Sequence, residues 1–66
     1  MKLIDRIAAN IEKRRGDLSI DKLSKKADIP FTTLMNIKRK QVQDVRVSTL
    51  IAIAKALRCS LDELVG

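Results

Sequence analysis

Thr32, Asn36 and Arg39 are the side chains in this sequence whose types and spacing suggest recognition chemistry. They lie within "FTTLMNIKRK", residues 31–40. On a helix turning about 100° per residue they share one side. A hydroxyl, an amide and a guanidinium are groups that read base edges in a DNA major groove. Asn can pair bidentately with adenine, Thr can bond a base or touch a thymine methyl, and Arg can pair with guanine or a phosphate. Leu34 and Ile37 point the opposite way, as core residues would. Phe31 and Met35 occupy one flank and Thr33 the other. A polar outward face is also what any solvated surface helix has, so this stretch alone does not decide the matter.

The charge points in the same direction. Fourteen Lys and Arg face eight Asp and Glu, a net charge of +6. The cations cluster as Lys13-Arg14-Arg15, Lys25-Lys26 and Lys38-Arg39-Lys40. Such a surface suits a polyanion, either nucleic acid or acidic lipid, although a basic surface can also be merely solvated.

Other chemistries find little here. The chain has no His, so the commonest general base is missing. Its glycines are Gly16 and Gly66 alone, which leaves no phosphate-cradling loop. Asp62 and Glu63 resemble a carboxylate pair, but they fall in the first turn of a short helix, where acidic groups favour the dipole. Cys59 has no second cysteine, so it forms neither an internal disulfide nor a metal cluster, and it reads as a reduced core thiol. These features argue against an enzyme, and no cofactor or metal is expected. The longest apolar run, "LIAIA" at 50–54, is far shorter than the roughly 18–20 residues a membrane span needs. Asp5 and Arg6 interrupt any signal-peptide core near the start. A basic amphipathic first helix could touch anionic lipid, but its apolar stripe is needed for the core. The expected location is cytoplasmic, on the nucleoid when DNA is bound.

The elements that would position Thr32 and Asn36 follow from the apolar period. Leu3, Ile4, Ile7, Ala8 and Ile11 form a one-sided stripe over a helix at 2–15, which Gly16 stops. Ser19 is an N-cap for a helix at about 20–27, with Ile20, Leu23 and Ala27 inward. Asp28 can take a left-handed turn. Pro30 suits the start of a third helix at about 30–38. Residues 39–45 have no period and read as a loop. Ser48 is expected to cap a fourth helix at about 49–58, with Leu50, Ile51, Ile53, Ala54 and Leu57 inward. Ser60-x-x-Glu63 is a capping box opening a last short helix. No strand signal, repeat or interdomain linker is visible. The expected fold is all-α: one compact five-helix domain over residues 1–66. Phe31 is the only aromatic residue, so the core must be aliphatic. A core of this size supplies only about 3–5 kcal/mol, and a dimer contact would add to it.

Two short helices joined by a three-residue turn, the second polar outward, fit a helix-turn-helix at about 19–38. The order "LSIDKLSKKADIPFTTLMNIKRKQ … VSTLIAIAKALRCSLDEL" resembles the Cro/C1-type (XRE family) helix-turn-helix domain over about residues 3–65. That resemblance implies a lambda-repressor-like domain whose third helix enters the major groove. It implies base contacts from Phe31, Thr32 and Asn36, with Phe31 as an apolar contact. It implies backbone contact from Thr33; Ser19, near the N-terminus of the first helix of the pair, would sit beside the backbone, and the basic end Lys38, Arg39 and Lys40 can neutralise phosphates. Three positions depart from the family pattern. Ile20 stands where Gln usually bonds a phosphate, Asp28 stands for the usual turn glycine, and Lys38 and Lys40 replace a frequent Glu and Gly.

The leading expectation is a bacterial or phage transcriptional regulator binding double-stranded DNA by sequence. It would be a repressor acting as a homodimer on a pseudo-palindromic operator, with Leu61, Leu64 and Val65 as the dimer contact. The alternative is an antitoxin-like or other protein-binding module that neutralises a partner protein, since fold does not fix function. RNA is a weaker target, because stacking aromatics are missing apart from Phe31.

Overall fold

The computed structural model describes residues 2–42 and 44–66. Gln43, within the expected loop, lies outside the described residues. Five α-helices follow one another: α1 (Leu3–Arg15), α2 (Ile20–Ala27), α3 (Phe31–Lys38), α4 (Val47–Ala56) and α5 (Leu61–Val65). No strand occurs among the described residues. The core is aliphatic, built around Ile7, Ile11, Leu23, Leu34, Ile37, Ile53 and Leu64, which are almost wholly buried. All five helices contribute to it: α1 packs on α3 and α5, α2 on α3 and α4, and α4 on α5.

The helix starts divide by mechanism. Ser19 caps α2, its Oγ accepting from the Lys22 N–H at 3.1 Å. Ser60 and Glu63 form the reciprocal capping box of α5: the Glu63 N–H donates to Ser60 Oγ at 3.1 Å, and the Ser60 N–H donates to Glu63 Oε1 at 3.0 Å. Pro30 is the N-cap of α3 rather than its first helical residue, and α3 has no side-chain cap. Ser48 does not cap α4. That helix begins two residues earlier than expected, with Arg46 in extended backbone as an N-cap without a side-chain bond. Backbone geometry alone turns the chain there.

The Glu63 carboxyl lies below its ordinary range, because the Ser60 N–H and then the Ser60 hydroxyl bond it and the Arg14 guanidinium sits 3.2 Å away. A lowered pKa favours the folded state at pH above the ordinary carboxylate range, and that contribution is lost as pH falls through the folded value. Ser60→Ala is therefore expected to raise the Glu63 pKa toward the ordinary value, read by NMR titration of its side-chain carboxyl carbon. Loss of the cap itself should lower stability by about 1 kcal/mol.

The ends of α2, α3 and α4 close in one shared way. Ile29, Gln41 and Cys59 each donate to a carbonyl five residues back, at 3.0, 2.9 and 3.0 Å. Asp28, Lys40 and Arg58 each donate three residues back. These are Schellman closures, and the residue in the left-handed position is never glycine: φ is 58°, 59° and 56° at Asp28, Lys40 and Arg58. An L side chain there costs about 1 kcal/mol, so Arg58→Gly is expected to raise stability by about that amount in a urea melt. Gly16 stops α1 in a different conformation from the left-handed one expected. Its φ of 54° and ψ of −121° suit the first central position of a type II′ turn, closed by the Leu18 N–H on the Arg15 carbonyl at 2.9 Å.

Several apolar residues expected inside are not. Leu3 is 54% exposed and Ile51 is 40% exposed. Leu57 is half-buried, while Ala56, not expected inward, is buried. With Val47 added to α4, apolar residues occur on every side of that helix, and Leu50, Ile53, Ala54 and Ala56 are the ones buried as it packs on α2 and α5. Cys59 is a free, half-buried thiol packed against the core.

Candidate nucleic-acid interface

The helix-turn-helix is formed by α2, the turn Asp28-Ile29-Pro30 and α3. Leu23 and Ala27 of α2 and Leu34 and Ile37 of α3 are buried together, which fixes the two helices to each other. This leaves one side of α3 to solvent. Thr32 and Arg39 are exposed on it, and Phe31 is 45% exposed beside them. Met35, on the same flank, leans onto the core and is half-buried.

Asn36 and Thr33 are half-buried. Both line a groove of about 380 Å³ between α3 and the segment leading into α4, opposite Asp44, Arg46 and Thr49. The expected group is thus split. Thr32, Phe31 and Arg39 lie in the open, and Thr33 with Asn36 forms the polar wall of a neighbouring groove. Arg46 and Thr49 belong to this surface and were not singled out from the sequence. The available signal was a cation between the stretch read as loop and the start of the next helix.

Ser19 is exposed at the start of α2. Its oxygen accepts from the Lys22 N–H, which leaves its O–H free to donate to an anion. The basic end of α3 is partly neutralised from within. Lys38 Nζ lies 3.7 Å from Glu12 Oε1, and Lys40 Nζ lies 3.4 Å from Asp5 Oδ1, both carboxylates on α1. Glu12 also pairs with Arg15. Arg39 has no ion pair among the described residues. In the fifth helix, Leu64 is wholly buried under Asn10, whose side-chain amide donates to the Leu64 carbonyl at 2.7 Å. Leu64 is therefore a core residue with no surface to offer a second copy in this fold, which corrects its expected place in a dimer contact. Leu61 and Val65 are half-buried and keep some surface.

A helix-turn-helix with a solvent-facing polar second helix is the arrangement DNA-binding domains of this kind use. The family description "Cro/C1-type HTH DNA-binding domain" matches residues 10–66, and the chain belongs to that family. The match covers α2 to α5 and the C-terminal part of α1 from Asn10 on, so the resemblance read from the sequence and the fold agree. No curated protein and no solved structure matches the chain. The family is one of DNA-binding domains associated with transcription regulation, and it is typically non-enzymatic. No helix among the described residues is long and apolar enough to cross a membrane.

Proposed function

We propose that this domain is a sequence-specific transcriptional regulator, a repressor that blocks a promoter by occupancy as a dimer on a pseudo-palindromic operator. The observation that carries this reading is the solvent-facing side of α3, with Thr32 and Arg39 opposite the buried Leu34 and Ile37. Thr32 and Asn36 read base edges, and Phe31 packs on a thymine methyl. Ser19, Thr33 and Arg39 hold the backbone, joined by Arg46 and by the N–H groups at the uncapped start of α4. Lys38 and Lys40 reach phosphates only by leaving their α1 carboxylates. The domain measures 27 × 22 × 22 Å, so two copies fit side by side at the ~34 Å spacing of adjacent half-sites. Leu61 and Val65 are the residues of α5 left for contact between them.

The test is selection from a random duplex pool, followed by binding of the winner and a scrambled duplex across a salt series. A motif with two related halves, bound at least ~10³-fold tighter than the scramble, supports a dimeric specific regulator. Steep salt dependence with no motif would reduce the activity to backbone binding.

The α1 carboxylates give a separate expectation. Glu12→Gln removes one negative charge and frees Lys38. Affinity for the scrambled duplex should rise, and the salt slope should steepen by about one charge. Fluorescence anisotropy at several salt concentrations reads both. An unchanged slope would mean that Lys38 does not reach phosphate even when unpaired.

A further inference from the structure

A second groove, of about 430 Å³, runs between α2 and α4 and shares no residue with the groove beside α3. Its floor is apolar and shallow, made by Ala27, Ala52, Ala56 and the side chain of Ile51. Ala27 and Ala56 are buried, Ala52 is half-buried and Ile51 is 40% exposed. Three alanines leave room where larger side chains would have closed the seam. Lys26 and Lys55 stand on the two sides of this floor, both exposed. Neither has an ion pair among the described residues, unlike Lys25, which pairs with Asp21 at 3.3 Å. Among the described residues, no acidic side chain lines the groove. The other large groove, beside the exposed Leu3, mixes Asp5 with Lys2 and Lys40 and has no such single sign.

We propose that the α2–α4 groove is a docking surface for an acidic, amphipathic segment of a partner protein. One apolar side chain of the partner seats on Ala27, Ile51, Ala52 and Ala56, and flanking carboxylates pair with Lys26 and Lys55. The charge complementarity selects this occupant. A second copy of the chain brings its own net charge of +6 toward the two lysines. Nucleic acid satisfies the lysines but leaves the apolar floor unfilled. The acidic segment satisfies both, and the rim lysines give it specificity and steering while the floor supplies contact area. The groove is separate from α3, so a regulator could engage its partner while bound to DNA.

The experiment uses the whole chain, isotope-labelled, with peptides selected on it from a random display library. The expected winners share a Leu, Ile, Met or Phe flanked by Asp or Glu. They should shift the amide resonances of Lys26, Ala27, Ile51 and Ala52. The double variant Lys26→Glu/Lys55→Glu should bind them about tenfold more weakly while keeping its helical circular dichroism. Ile51→Ser, at a position already open to solvent, should weaken them too, and Asn36→Ala should not. Failure to enrich any acidic-apolar motif would overturn the proposal. So would winners that shift α3 instead, or loss of duplex affinity in the double variant comparable to its loss of peptide, which would assign the groove to DNA. The duplex-pool selection reads the α3 surface independently, so failure of one reading leaves the other intact.

Discussion

Leu34→Ala is expected to unfold most of the protein at room temperature. Leu34 is wholly buried on α3 and belongs to the same cluster as Ile7, Ile11, Leu23, Ile37 and Ile53. Removing a leucine side chain from such a site costs about 2–5 kcal/mol, the upper part of that range when the cavity cannot collapse. Collapse is difficult here, because α1 and α2 both pack against α3. The whole domain is held by only about 3–5 kcal/mol, since its core is small and aliphatic. The loss therefore matches the total. A urea melt followed by far-ultraviolet circular dichroism checks this, with the parent chain as reference. A cooperative transition at the parent midpoint would mean that α3 is anchored by something other than this core. Because Leu34 faces inward, any loss of DNA binding in this variant should track the fraction folded. Excess operator duplex should recover part of the helical signal by mass action.

Asn36→Ala is expected to have the largest effect on recognition without unfolding the chain. The side chain is half-buried at the wall of the α3 groove, beside Thr33 and facing Arg46 and Thr49. A bidentate amide–adenine pair is worth about 1–3 kcal/mol of discrimination, or roughly 5- to 150-fold in affinity. The loss should be confined to the selected duplex and should vanish when the matching base pair is changed. Titration of both duplexes at fixed salt measures it. An equal loss on scrambled DNA would make Asn36 a backbone contact, and no loss on either would remove α3 from the reading surface.

Local features were legible in the sequence because their causes are local. The α2 boundaries, the Ser60 capping box and the left-handed Asp28 each depend on a few adjacent residues. The inward direction of Leu34 and Ile37 follows from spacing within a single helix. Features that join distant segments were not legible. Lys38 and Glu12 are 26 positions apart, and no period in either helix announces their pairing. Nor could the split of the polar group be foreseen. Asn36 is half-buried because the segment around Arg46 returns beside it. Ile51 was misplaced for a different reason: α4 is apolar on too many sides for its own pattern to choose the buried one. Arg46 was missed because its role depends on where α4 begins, and that start carries no side-chain cap to mark it.

The three helix closures made without glycine have a consequence for the protein's persistence. Asp28, Lys40 and Arg58 each hold a left-handed backbone that glycine would adopt more cheaply. Together they keep back a few kcal/mol at most, an amount comparable to the whole stability of so small a domain. A chain so poised opens often, and open chains are what proteases remove. Any ligand that binds only the folded form closes that route in proportion to its occupancy. Copies seated on a cognate site should then outlast copies in free solution. Turnover would clear the unused pool first and leave the engaged one, so that residence and lifetime are set by the same backbone angles.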